Sequence, residues 1–189
     1  MKEKLKKVDR ELYVAINNRY DSRIIKLVML IITFLGGVTV SIAMPFALYF
    51  MGNKELFLKM TLGLIVITVI VQSIKIIYKR TRPYEKVEGS VRIGCKLKTY
   101  SFPSGHTSTS FMLMTLLAIN FGMPIAILFL STAVLIGVSR IYLGVHYPVD
   151  VIVGAFLGTI VAISINIFGG VYIWENVLNQ ILKVVQLSI

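Results

Sequence analysis

Long apolar stretches constrain this chain before any other feature. Residues 27–51, 56–78, 124–142 and 148–168 are each apolar enough and about long enough to cross the ~30 Å hydrocarbon of a bilayer as a helix. A fifth stretch, 105–121, is shorter and rich in Ser and Thr. In hydrocarbon the backbone must satisfy its own hydrogen bonds, so these runs are expected to be helices. Composition agrees. Hydrophobic residues make up 56% and charged residues only 15%, against about 25% charged in a soluble domain. The fold class read from the sequence is therefore all-α, an integral membrane bundle of about five transmembrane helices.

The punctuation refines this. Pro45 inside the first stretch predicts a kink there. Lys59 and Lys75 lie close enough to the ends of the second to snorkel. Phe121-Gly122-Met123-Pro124 reads as a tight turn, and Pro148 opens the last span, which closes at Gly169-Gly170. Before the first span, Leu5, Val8, Leu12, Ala15, Ile16 and Tyr20 recur at helical spacing among charges. This predicts an interfacial amphipathic helix over 3–20 rather than a cleavable signal. The chain reads as one membrane domain: an interfacial helix in 1–23, a transmembrane core in 24–168 and a C-terminal helix in 169–189.

The formal net charge is +11. Eight basic residues lie in 2–26 and eight more between Lys75 and Lys98. With no soluble domain, the first cluster suits a membrane surface and not nucleic acid. The second cluster borders a 21-residue connection, 83–103, long enough to be functional. There, Lys79, Arg80, Lys86, Arg92, Lys96 and Lys98 read as a solvated basic loop. The lone cysteine, Cys95, excludes an internal disulfide.

If consecutive spans run antiparallel, three segments converge on one face. They are Lys75 to Pro83, Pro103-Ser104-Gly105-His106, and Ser139-Arg140 to His146 and Asp150. These hold both histidines of the chain. Gathering cations near hydrocarbon is costly, and a bound phosphate is the simplest reason for it. Asp150, four residues after His146, can accept its Nδ1–H and leave Nε2 bare as a nucleophile. His106 would protonate the leaving oxygen and later activate water. Lys75, Arg82 and Arg140 would hold the phosphoryl oxygens, with Ser104 and the Gly105 N–H as further donors. Two histidines so assigned leave no metal site, and no nucleotide-binding loop occurs, so no cofactor is expected. Gly154 and Gly158 read as a small-xxx-small pair for packing within the bundle.

These segments resemble the signature of the type 2 phosphatidic acid phosphatases, which include undecaprenyl-diphosphate phosphatases. Lysine, six residues and Arg-Pro are matched by Lys75, Arg82 and Pro83. Pro-Ser-Gly-His is matched at 103–106. Ser-Arg, five residues, His, three residues and Asp are matched by Ser139, Arg140, His146 and Asp150. The resemblance covers roughly 75–168. It implies a helical core shared with vanadium haloperoxidases and metal-independent dephosphorylation of a membrane lipid through a phosphohistidine. Undecaprenyl diphosphate, phosphatidate and phosphatidylglycerol phosphate all fit as substrates. The short chain suits a bacterial plasma membrane. The resemblance also implies an extracytoplasmic site, whereas the basic N-terminus argues for the cytoplasm by the positive-inside rule. The alternative is a non-enzymatic phospholipid-binding or transport protein on the same scaffold, which would leave the His146–Asp150 spacing without a role. A vanadate-using oxidant is disfavoured by the small membrane-bound chain. Nothing in the sequence sets an oligomeric state.

Overall fold

The apolar runs form helices, and small residues decide where those helices break and how closely they pack. The computed structural model describes residues 2–17, 22–94 and 96–168, so the expected C-terminal helix lies outside the described residues. Within them the order is α1 Lys2–Ile16, α2 Arg23–Leu35, α3 Val38–Phe50, α4 Lys54–Tyr78, α5 Pro83–Lys86, α6 Gly105–Phe121, α7 Ile125–Tyr142 and α8 Pro148–Phe168. No strand occurs among the described residues. By length and composition α4, α7 and α8 can cross a membrane, and α2 with α3 can do so as one bent span. Ile65, Val69, Ile76, Ile152 and Phe156 point outward from these helices and are exposed. For a lipid-facing surface this is the expected arrangement.

The first span breaks elsewhere than expected. The chain bends by 50° between α2 and α3, at Gly36-Gly37, while Pro45 sits buried inside α3. The cause is packing: a Cβ on Gly36 would lie 2.4 Å from the Ile136 side chain and 2.8 Å from Ser110 Oγ. The break lets the chain pass α6 and α7 at that closeness.

The centre of the bundle is α6, packed among α4, α7 and α8. It is 17 residues long and buries Thr107, Ser108, Ser110 and Met112 to Leu117. Its small hydroxyl residues admit α8, whose Gly154 and Gly158 rest on the backbone of Ser104 and Ser108. The small-xxx-small pair thus packs within the bundle. Met60, Ile67, Met112 and Leu116 fill the core between α4 and α6.

Two expectations about polar residues need correction. Lys59 does not snorkel to solvent. It is buried, with Nζ 2.7 Å from the Glu55 carboxylate and 3.2 Å from Asn166 Oδ1. The amphipathic helix is present as α1, and it is docked on α7 and α8. Its buried stripe is Asp9 and Tyr13, while Leu5, Val8 and Leu12 remain exposed. Of the apolar stripe, Ile16 packs against the protein beside Tyr13, and Leu5, Val8 and Leu12 face away from it.

Candidate active site

Four chain segments deliver the site, each for a local reason. Lys79 ends α4 in the left-handed region at φ 44°, which turns the chain so that Arg80 and Arg82 come back over the bundle. Ser104 occupies the N-cap position of α6 and places His106 in its first turn. Arg140 lies in the last turn of α7. Gly144, at φ +80°, makes the turn that returns His146 to the bundle before Pro148 starts α8. That turn is also crowded: a Cβ on Gly144 would lie 2.2 Å from the Val91 carbonyl oxygen.

These segments surround one cavity of about 660 Å³. Lys75, Arg82, Gly105, His106, Arg140 and His146 form its polar end. The other end runs between α3 and α4 along Val38, Ile42, Leu64, Ile65 and Val69. The predicted convergence of three segments is therefore observed in space.

Each predicted residue has a distinct environment. His146 is buried, and Arg82 Nη1 approaches its Nε2 at 3.3 Å. Arginine only donates, so Nε2 must be the unprotonated nitrogen and Nδ1 carries the proton of the neutral ring. Nδ1 faces Asp150 Oδ2 at 3.5 Å. That is longer than a full hydrogen bond, and Nδ1 has no other partner among the described residues. Burial holds this imidazole down at about 3, with Asp150 pulling in the opposite direction. Arg82 is held by the Val145, Thr99 and Tyr100 carbonyls and the Thr99 hydroxyl at 2.8–3.2 Å. Arg140 donates through Nη1 to Thr33 Oγ1, while its buried Nε has no partner among the described residues. Lys75 is buried against the cavity.

Asp150 is fully buried and does not face the cavity. Its Oδ2 accepts from Ser101 Oγ and from the Tyr147 N–H at 3.0 Å, and its Oδ1 from Arg80 Nη1 at 2.6 Å. The Ser104 hydroxyl is buried and accepts from Thr107 Oγ1 at 2.8 Å, away from the cavity wall. Ser139 bonds back to the Ile136 carbonyl as a packing serine. Among the described residues no group of three His, Cys, Asp or Glu is placed to hold a metal ion.

Arg80 corrects the sequence reading. It is not a solvated loop cation, because it bridges Asp150 and Asp9 of α1 at 2.6 Å each and lies 4.0 Å from the Tyr147 ring centre. Asp9 and Arg80 are the residues that sequence reasoning missed. The available signal was the i, i+4, i+8 spacing of Asp9, Tyr13 and Asn17, a row that runs beside the apolar stripe of α1.

Cations and both histidines thus close on one cavity of a bundle whose long helices are apolar enough to cross a membrane. Residues 56–179 match the PAP2 superfamily, and the chain belongs to that family. An undecaprenyl-diphosphatase of Sulfolobus acidocaldarius is 30% identical over 115 residues, 59% of this chain and 54% of its own length. The chain thus spans about half the length of that relative. The crystal structure of LpxE from Aquifex aeolicus superposes with a TM-score of 0.75 at 33% identity, over 81% of this chain and 91% of that one. A transmembrane PAP2 type phosphatidylglycerolphosphate phosphatase of Bacillus subtilis superposes at 0.74, over 87% and 86% of the two chains. At 23% identity it shows the shared fold.

Proposed function

We propose that this chain is an integral-membrane phosphatase that removes the terminal phosphate from a lipid phosphate or diphosphate. The observation that supports it best is the two-ended cavity. Lys75, the unpartnered Arg140 Nε and both histidines lie at one end, and an apolar groove between α3 and α4 lies at the other. Such a cavity suits a phosphate joined to a hydrocarbon chain.

In this reading His146 Nε2 attacks phosphorus as the bond to the lipid oxygen breaks. Protonated His106 gives its proton to that departing oxygen. Lys75, Arg82 and Arg140 stabilise the charge that spreads over the phosphoryl oxygens. Neutral His106 then takes a proton from water, and the water oxygen attacks the phosphohistidine. Inorganic phosphate leaves with the bonding pair returned to His146 Nε2. Asp150 holds the His146 Nδ1–H throughout, closing the 3.5 Å gap once a dianion sits at Nε2. The Gly105 N–H lies at the cavity as a further donor, and Ser104 serves by turning the chain into α6. The site faces the extracytoplasmic side, the orientation the family resemblance implies. Part of the basic charge on that face is engaged inside the protein, as Arg80 and Arg82 show, which weakens charge counting as a guide.

The test is phosphate release by purified protein in detergent with EDTA, run in parallel on undecaprenyl diphosphate, phosphatidate and phosphatidylglycerol phosphate. Release that disappears in His146→Ala with the fold retained is expected. No release from any of the three by folded wild-type protein sinks the enzyme and leaves the lipid-binding alternative.

A further inference from the structure

The geometry points to α1 as a strap that completes the active site, with Asp9 a positioning residue acting through Arg80 on Asp150. This rests on the phosphatase reading. The helix lies outside the signature segments, and none of its residues lines the cavity, yet its buried polar stripe is fastened to the parts that carry the site. Asp9 Oδ2 accepts from Arg80 Nη2 at 2.6 Å, and its Oδ1 accepts from the Val149 N–H at 2.9 Å, in the first turn of α8. Tyr13 packs on Tyr147 with ring centres 5.5 Å apart, and its hydroxyl meets Ser90 Oγ. Asn17 bonds the Tyr142 carbonyl at 2.9 Å and both backbone groups of Val91. One helix therefore ties the 83–103 loop, the 143–147 turn and the start of α8 together.

The consequence runs through Arg80. Asp150 is 0% exposed and Asp9 is 4% exposed, whereas Arg80 is 27% exposed in its side chain. A guanidinium with one face toward solvent stays over Asp150 only if something holds its other fork. Asp9 supplies that hold, and the Tyr147 ring supplies the floor. Val149 N–H and Arg80 Nη2 meet different oxygens of Asp9, and in Asp9→Asn one of those two positions becomes an NH2 that can only donate, so both cannot be met in place. Arg80 is then free to leave Asp150 Oδ1, and the carboxylate that faces His146 is held only through Oδ2, by Ser101 and the Tyr147 N–H, so its orientation loosens.

The experiment compares Asp9→Asn, Arg80→Gln and the double variant in the full-length chain in detergent. Removing an orienting partner of this kind costs about tenfold or more. A fall of about tenfold in kcat with KM unchanged is expected, because Asp9 does not reach the cavity. In the Arg80→Gln background, Asp9→Asn should cost nothing further. Unchanged kcat, a change in KM alone, or additive losses would each overturn the strap. Should Asp9→Asn not fold, Arg80→Lys carries the same test. One ammonium cannot hold both carboxylates as a fork does, and a wild-type kcat there refutes the linkage. Hydrogen exchange gives a readout independent of turnover. The Tyr147 N–H is bonded to Asp150 Oδ2, so exchange in the 143–150 stretch should quicken about tenfold in Asp9→Asn. Unchanged exchange sinks the strap. Quickened exchange in Asp9→Asn, where the folded wild-type protein itself releases no phosphate, sinks the phosphatase reading and leaves the strap standing.

Discussion

Substituting Gly158 by alanine separates packing from chemistry. The added methyl would lie 2.2 Å from the Ser108 carbonyl oxygen and 2.9 Å from the Met112 nitrogen, where ordinary contact begins at 3.4 Å. Both neighbours are backbone atoms of α6, so neither can swing aside, and α6 and α8 must part by about 1 Å. Overpacking of this kind costs about 1–3 kcal/mol. In a chain of this size that is about 2–4 °C of melting temperature per kcal/mol. The same two helices carry His106 and Asp150, and a misplacement of about 1 Å at a reacting centre costs about 100-fold. Gly158→Ala is therefore expected to melt earlier in detergent and to turn over about 10–100-fold more slowly. Gly105→Ala is the control. Its methyl would meet only Val71 Cγ1, at 3.8 Å, so the melting temperature should hold. Gly105 lines the cavity, so its activity should fall through the space taken beside the phosphate. A Gly158→Ala protein with wild-type melting and wild-type kcat would refute the argument.

Other predictions follow from single environments. Arg82→Lys keeps the charge but abandons most of three carbonyls and a hydroxyl, so it should lose about 2–4 kcal/mol of stability and expose the 83–103 loop to protease; unchanged melting and cleavage would count against it. His146, held at about 3 in the folded protein and near 6.5 when unfolded, takes up a proton on unfolding at mildly acid pH. Stability should therefore fall by about 1 kcal/mol per pH unit as pH drops below 6.5 towards 3, and a His146→Gln protein that keeps the same pH slope would refute this. With Cys95 replaced by Ser, a cysteine put at the exposed position of Lys98 should react with a membrane-impermeant maleimide in intact spheroplasts; labelling only after permeabilisation would reverse the proposed orientation.

The legible parts of this chain were those where one physical constraint acts locally. Hydrophobic length set out the long helices, and Pro148 marked the start of α8 because proline suits a first helical turn. The small residues of α8 announced a close crossing, and Gly154 and Gly158 make it on α6. The convergence of Lys75, Arg82, His106, Arg140 and His146 followed from antiparallel order and from the signature spacing. The illegible parts depend on which neighbour a residue meets. Pro45 is a strong local signal for a kink, but the bend falls at Gly36-Gly37 because Ile136 and Ser110 stand there. Arg80 sits among six basic loop residues with nothing in the sequence to single it out, and its partner Asp9 is 71 residues away. Ser104 occupies its signature position, yet Thr107 takes its oxygen as an acceptor, a competition no spacing rule contains.

Asp150 shows why the signature alone does not make the site. Its side chain accepts from Arg80, Ser101 and the Tyr147 N–H, and its carbonyl accepts from the Ser104 N–H at 3.0 Å. One buried residue thus joins the end of α4, the 83–103 connection, the α7–α8 turn and the start of α6. A carboxylate so engaged has little freedom left, and its position relative to His146 is set by all four segments together. The 3.5 Å separation from Nδ1 reflects those competing contacts. Each of the four segments must be seated before His146 has its partner, so the proposed chemistry requires completion of the fold on this face. In that reading the residues that would act on phosphate line the cavity, whereas those that would arrange them reach back as far as α1.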